Sequence, residues 1–257
     1  MAEALLETHA LTCRFGALTA VEDVSVAIRP GTITGLIGPN GAGKSTLFNL
    51  LTGELAPTAG RVTLAGQDIT RLSPDRRFAR GLGRTFQIPR PFKRMTVMEN
   101  LMLAAPGQSG EGLLGPVFAR SRIRSDEARL RTRAREVLDF VTLAPLADQP
   151  AGKISGGQAK LLELARVLMG APRLILLDEP AAGVNPALTE TLVAKIEELN
   201  RQGTTFVVIE HDMDLVMRHC DPVIAMAEGR VVFEGTGAEA QSDPLLLDAY
   251  LGAPVDA

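Results

Sequence analysis

Gly38-Pro39-Asn40-Gly41-Ala42-Gly43-Lys44-Ser45 fits the spacing G-x-x-x-x-G-K-[ST], and each fixed residue type in it has a chemical task. The glycines let backbone N–H groups converge on phosphate oxygens, the lysine reaches β- and γ-phosphates, and the serine hydroxyl can ligate Mg2+. A second feature is Asp178-Glu179, which ends the apolar run Leu174-Ile175-Leu176-Leu177. Carboxylates at the end of a buried parallel strand are placed to act on a ligand: Asp178 would hold the Mg2+ shell and Glu179 would polarise an attacking water. Acids after a strand are often plain turn formers, a reading that loses weight beside a phosphate-binding loop. The third feature is Ser155-Gly156-Gly157-Gln158, ahead of a long helical pattern. A hydroxyl and backbone amides at a helix N-terminus form an anion site, although alone this is also an N-cap followed by flexible glycines.

These residues need elements to hold them. Residues Ala4 to Arg29 alternate, and Thr32 to Ile37 is an apolar run ending in glycine, so edge strands should feed a buried central strand. A strand, a Gly-rich turn and a helix in that order open a nucleotide-binding α/β fold. Gly60 to Ala65 and Leu82 to Gln87 read as further strands, with a short helix between them opened by Ser73-Pro74 and closed by Gly81. Thr96 and Glu99 make a capping-box pattern, Pro106 to Gly115 is Gly-rich and expected to be mobile, and a helix should run from about Asp126 to Val141. On that helix Leu130, Ala134, Val137, Leu138 and Val141 share a face, and the run Arg129, Arg131, Arg133, Arg135 faces water. The chain then returns to α/β: a strand at Arg173 to Asp178, a helix through Lys195, a strand at Thr204 to Glu210, and a hairpin turning at Glu228-Gly229. Asp243-Pro244 should open a short capped helix over Leu245 to Leu251.

Bulk properties remove several function classes. The 257 residues suffice for one nucleotide-binding domain and not two, with hydrophobic residues at 46% and charged residues at 22%, as in a packed globular protein. A formal net charge of -3 gives no field to recruit nucleic acid or an anionic membrane. The arginine run carries interleaved acids and no aromatics, which suits a solvated face better than a nucleic-acid patch. No signal-like N-terminus and no run of about 18 uncharged apolar residues is present, so a cytoplasmic protein that meets a membrane only through a protein partner is expected. Cys13 and Cys220 lie far apart without a neighbouring His cluster, and read as two buried thiols.

The phosphate loop, Ser155 to Gln158 and the Asp178-Glu179 strand about twenty residues later together resemble the ATP-binding cassette (ABC) ATPases. That resemblance implies a nucleotide site of Phe15 on adenine, Gly38, Pro39, Asn40, Gly41, Ala42, Gly43, Lys44, Ser45 and Thr46 on the phosphates, and Ser155, Gly156, Gly157 and Gln158 on the ATP of a second subunit. It implies ATP and Mg2+ as cofactors, with Ser45, Gln87 and Asp178 about the metal. It makes Glu179, His211 and Gln87 the catalytic set: His211 matches the switch histidine at the γ-phosphate and Gln87 the glutamine that meets Mg2+ and the attacking water. Read without the resemblance, Phe15 is as well suited to the core as to stacking, and His211 is an ordinary polar residue or cap. The segment Ala181 to Pro186 matches the family's D-loop but has Asn185 where aspartate is usual.

Within the family, Gly83 to Phe92, Asp178 to Pro186, Ile209 to Met213 and Ala249 to Gly252 resemble the ATPases of branched-chain amino acid importers, whose relatives serve urea, amide or lipopolysaccharide transport. The implied fold is an α/β P-loop ATPase with a mixed sheet core, an antiparallel β edge subdomain and a helical subdomain. The expected division is 1–87 with 173–257 as the catalytic lobe and 88–172 as the helical lobe. Implied partners are a second ATPase subunit, either a copy or a paralogue, integral membrane permease subunits and, indirectly, a solute-binding protein, with no nucleic acid. The chain would sit on the inner face of the cell membrane. ABC proteins of DNA repair and translation fit less well, since they carry a long coiled-coil insertion or two cassettes. A P-loop GTPase would need Asn-Lys-x-Asp, which is missing. Two prolines, Ile88 and Phe92 after Gln87 suggest a stiff apolar loop, either packed inward or, with Met95, forming a groove for a helix of the membrane subunit.

Overall fold

The computed structural model describes residues 3–85, 89–106, 120–243 and 246. They divide into two compact units, one of 1–84, 173–181 and 196–257, the other of 85–172 and 182–195.

The first unit contains two sheets. Strands β1 (Leu6–Phe15), β2 (Leu18–Val24), β3 (Ala27–Ile28), β5 (Ala59–Leu64) and β6 (Gln67–Asp68) form an antiparallel sheet in which β1 pairs with β2, β3 and β5. The burial of β1 alternates, as expected for a sheet with one covered face. The second sheet has the order β11 (Arg230–Gly235), β10 (Val223–Ala227), β4 (Ile33–Ile37), β9 (Thr205–Ile209), β8 (Leu174–Asp178), β7 (Leu82–Arg84). Its pairs are parallel except β10 with β11, which makes the sheet mixed. The all-apolar runs of β8 and β9 are buried throughout, the mark of inner parallel strands. Helix α1 (Lys44–Thr52) buries Leu47, Phe48, Leu50 and Leu51 in a core that joins side chains of both sheets, and the short helix α2 (Pro74–Phe78) leads into β7.

Register decides where the site lies. Leu36 of β4 pairs with Ile209 of β9, and Ile209 pairs with Asp178 of β8. The loops leaving these three strands therefore start at one level of the sheet, at its carboxyl edge, where open α/β sheets bind ligands. The hairpin between β10 and β11 turns at Glu228 (φ 49°) and Gly229 (φ 78°), both left-handed as a two-residue type I′ turn requires.

In the second unit, helix α3 (Val97–Ala104) opens on a complete capping box: Glu99 N–H donates to Thr96 Oγ1 and Thr96 N–H to Glu99 Oε2. It packs on α4 (Arg120–Phe140) and α5 (Gly156–Leu168). Ala134, Val137, Leu138 and Val141 are buried and Leu130 is half-buried, while Arg129, Arg131, Arg133 and Arg135 face water. Three of those arginines pair with Asp126, Glu127 and Glu136, the behaviour of a solvated face.

Several boundaries differ from the sequence reading. Strand β7 ends at Arg84 rather than Gln87. Helix α4 covers Arg120–Phe140, because Arg120 to Ser125 has no apolar period to reveal it. Helix α6 (Pro186–Arg201) passes Lys195 and runs on to the turn at Gly203. Gln87, most of the Gly-rich stretch and the expected C-terminal helix, apart from Leu246, lie outside the described residues. Cys13 and Cys220 are buried free thiols, and no described helix is long and apolar enough to cross a membrane.

Candidate functional site

Two glycines shape the phosphate loop by exclusion. Gly38 (φ 150°) comes so close to Met226 that a Cβ would stand 2.3 Å from its carbonyl oxygen, and at Gly43 (φ 98°) a Cβ would stand 2.4 Å from that of Ala20. Any side chain there would displace backbone, so these positions require glycine. Gly43 is also the N-cap of α1, and no side chain caps that helix. The first amides of such a helix have no partner within it, and Lys44 to Thr46 line the cavity, so the helix start can serve an anion there. Lys44 is 6% exposed, and its Nζ donates to the carbonyls of Gly38 at 2.6 Å and Pro39 at 3.1 Å. Burial lowers the Lys44 pKa below its ordinary value, and the charges of Glu179 and Asp178 pull it partly back.

A cavity of about 330 Å³ is lined by Phe15, Leu18, Ala20, Asn40 to Thr46, Glu179 and His211. Phe15 is 49% exposed on its wall, which removes the core reading of that residue. Neighbouring Leu18, 66% exposed, adds a second apolar surface that a flat ring could cover. The lining thus combines apolar side chains with the phosphate loop, a cation and a carboxylate.

Beside the lysine come the residues that end or follow β8 and β9. Asp178 is 7% exposed and accepts a hydrogen bond at Oδ2 from Arg84 Nη2, 2.9 Å away. Glu179 has a left-handed backbone (φ 48°), sparsely used by residues with a side chain, and its N–H donates to Ile209 O at 2.9 Å. Its Oε1 lies 3.1 Å from His211 Nε2. Behind this pair Glu210, 4% exposed, accepts the Ala181 N–H at 2.8 Å on Oε1 and the His211 N–H at 3.3 Å on Oε2.

Arg84 and Glu210 are functional candidates that motif reading missed. Arg84 reaches Asn49 Oδ1 at 2.6 Å and Glu54 Oε2 at 3.3 Å as well as Asp178, and its guanidinium lies 5.7 Å from the centre of the Phe48 ring. Nothing in the local sequence announces these partners. The available signal was a charged residue directly after the buried start of a strand, at Leu82-Gly83.

In the second unit, Ser155 N-caps α5 in another complete capping box, accepting from Gln158 N–H at 3.2 Å while Gln158 Oε1 accepts from Ser155 N–H at 2.9 Å. The Gln158 side chain is therefore folded back on its own helix start. Ser155 and Gly156 are exposed, and a Cβ on Gly156 would meet nothing. Gly157 differs: a Cβ there would fall 2.1 Å from Leu188 Cδ2, the far end of a flexible side chain that would have to turn aside. Asn185 caps α6 by accepting the Leu188 N–H at 2.9 Å on Oδ1, a task its amide oxygen performs as a carboxylate would.

For Mg2+, the donor set fits by chemistry. Ser45 lines the cavity, and Asp178 ends β8 immediately before Glu179 of the same lining, giving the hard oxygens that Mg2+ prefers.

The family model described as ABC transporter matches residues 21–182. The chain is 40% identical over 252 residues to a probable branched-chain amino acid transport ATP-binding protein LivG of Methanocaldococcus jannaschii, covering 96% of this chain and 97% of the relative. It is 39% identical to the high-affinity branched-chain amino acid transport ATP-binding protein BraF of Pseudomonas aeruginosa, covering 98% and 99%. Among solved structures, an ATP-binding cassette of an ABC transporter in its ADP conformation matches with a TM-score of 0.84 and 38% identity, covering 98% of this chain and 100% of the other. A nucleotide-free cassette from an ABC transporter matches with a TM-score of 0.83 at 38% identity, covering 96% and 98%.

Proposed function

The chain belongs to the ABC transporter family, as one of its ATPases, and from that premise we propose that it powers import of branched-chain amino acids through membrane subunits. The observation that carries the ATPase half is the cavity that gathers the phosphate loop, Glu179 and His211. The solute half rests on full-length likeness to branched-chain amino acid transport proteins in both archaea and bacteria.

In this reading adenine stacks on Phe15, and the amides of Gly41 to Thr46 with Lys44 take the phosphates. A bound Mg2+, held by Ser45, Asp178 and Gln87, would offset charge between the β- and γ-phosphates. Glu179 accepts a proton from the attacking water and aims its oxygen at the γ-phosphorus. His211, in the tautomer that carries its hydrogen on Nε2, holds the Glu179 carboxylate in place beside the γ-phosphate. The exposed N-terminus of α5, at Ser155 and Gly156, meets the ATP of a second ATPase subunit, a copy or a paralogue. Residues 1–87 with 173–257 then serve as the catalytic lobe and 88–172 as the helical lobe, on the inner face of the membrane.

The test is uptake by vesicles that contain the chain with its permease and are supplied with solute-binding protein. ATP-driven uptake of labelled leucine that disappears with Glu179→Gln supports the reading. Uptake of urea or an amide in place of leucine redirects the solute assignment, and turnover of Glu179→Gln at the parent rate removes the catalytic one.

A further inference from the structure

We propose that Glu210 is a positioning residue for ATP hydrolysis, whose carboxylate spans the loops after β8 and β9 and keeps Glu179 and His211 in register. The inference rests on the roles proposed above for those two residues.

Glu210 is the first residue past β9, yet it is 4% exposed. An ionised side chain at that depth is costly unless it is hydrogen-bonded, and a leucine or threonine would close the end of an apolar strand at lower cost. Its two oxygens explain its presence: Oε1 accepts from Ala181 N–H and Oε2 from His211 N–H, at 2.8 and 3.3 Å. Charge-assisted bonds of this kind are stronger than neutral ones. One carboxylate therefore fixes the backbone two residues beyond Glu179 and the backbone of the histidine itself.

The Glu179 backbone needs such fixing. Its left-handed φ of 48° persists only where neighbours over-determine it. One constraint is its own N–H on Ile209 O, and the next is Ala181 N–H on Glu210, so the adjacent residues Ile209 and Glu210 hold both sides of the loop. The 3.1 Å contact between His211 Nε2 and Glu179 Oε1 then follows from backbone anchored on both partners.

Glu210→Ala, Glu210→Gln and Glu179→Gln in the purified full chain test this. Measured for each are kcat and KM for ATP, nucleotide affinity by direct titration, melting temperature, and amide exchange at Ala181 and His211. Glu210→Ala should lose roughly 10- to 100-fold in kcat, the scale of a displaced catalytic group, with affinity within about twofold of the parent. Exchange should quicken at Ala181 and His211 and stay unchanged along β9. Glu210→Gln keeps its shape and one acceptor oxygen, and should fall between Glu210→Ala and the parent. If Glu210→Ala does not fold, Glu210→Gln decides, and a parent kcat in it overturns the proposal. So does a kcat loss matched by equal losses in affinity and melting temperature, the sign of a merely structural role. A parent-like Glu210→Ala beside an inactive Glu179→Gln sinks the inference and spares the reading beneath it, whereas an active Glu179→Gln sinks that reading itself.

Discussion

Arg84 donates from Nη2 to Oδ2 of Asp178 across 2.9 Å, and both side chains are nearly buried. Through Nη1 the same guanidinium holds Asn49 on the helix that follows the phosphate loop. The acid proposed for the metal and the helix carrying the phosphate loop are thus braced by one forked cation, a geometry that a single ammonium cannot copy.

Arg84→Met should destabilise the protein by about 3 kcal/mol, because breaking a buried pair strands its carboxylate. Arg84→Lys should cost less and still lower turnover, since one ammonium cannot hold Asp178 and Asn49 at once. Urea denaturation and steady-state ATPase assays measure the two effects. Parent-like stability in Arg84→Met would show that Lys44 alone compensates Asp178.

Lys44→Ala should weaken ATP binding by roughly 10- to 100-fold, as expected for a charge-assisted contact in a poorly solvated site. Burial already lowers the Lys44 pKa. Phosphate binding needs the ammonium, so affinity should decline on raising the pH at a less alkaline point than an exposed lysine would set. Equilibrium titration with a fluorescent ATP analogue across alkaline pH reads both effects. An unchanged affinity in Lys44→Ala would exclude it from the phosphate site.

How far the sequence revealed this site depends on how far apart the partners lie. Strand β4, its Gly-rich turn and α1 are contiguous, and β8 is an apolar run closed by its own acids, so local pattern sufficed for both. The capping box at Thr96 likewise needs only three residues' spacing. Arg84 and Asp178 are 94 residues apart, and Glu210 and Ala181 are 29 apart. Nothing periodic or motif-like links such pairs; only strand order brings them together.

Arg77 extends this lesson to stability. It is 1% exposed and donates to the carbonyls of Leu50, Leu51, Thr70 and Leu72 at 2.6 to 3.0 Å. Two of these belong to the last turn of α1, whose terminal carbonyls have no partner within the helix. Burial lowers its pKa to about 10, a cost the four acceptors offset. Arg77→Met should destabilise the fold by about 3 kcal/mol or more, with Arg77→Lys recovering part of the loss. Equilibrium denaturation decides, and a loss below about 1 kcal/mol would mean that water replaces the guanidinium.

Among the described residues of the loop after Gln87, Phe92 is the apolar one that remains open to solvent, 48% exposed, while Met95 is half-buried. The loop beneath it is held firmly. Phe92 N–H donates to Asn100 Oδ1 at 2.8 Å, and Asn100 Nδ2 returns bonds to the carbonyls of Phe92 and Thr96. Arg90 N–H donates to Glu163 at 2.9 Å, and Arg166, paired with Glu163, lies 5.7 Å from the centre of the Phe92 ring. A half-exposed aromatic on a backbone fixed at both sides loses little entropy on meeting a partner, which suits it to receive an apolar helix from a membrane subunit. Truncating it removes contact area from the surface and nothing from the core. Phe92→Ala should therefore keep the melting temperature and the ATPase rate of the isolated chain, yet reduce copurification with the permease and the uptake that ATP drives. Because Asn100 and Glu163 bond backbone atoms, the loop itself should keep its course in the variant. Full transport by Phe92→Ala would take the docking role away from this residue, and an unfolded variant would assign the ring to the packing of its own unit.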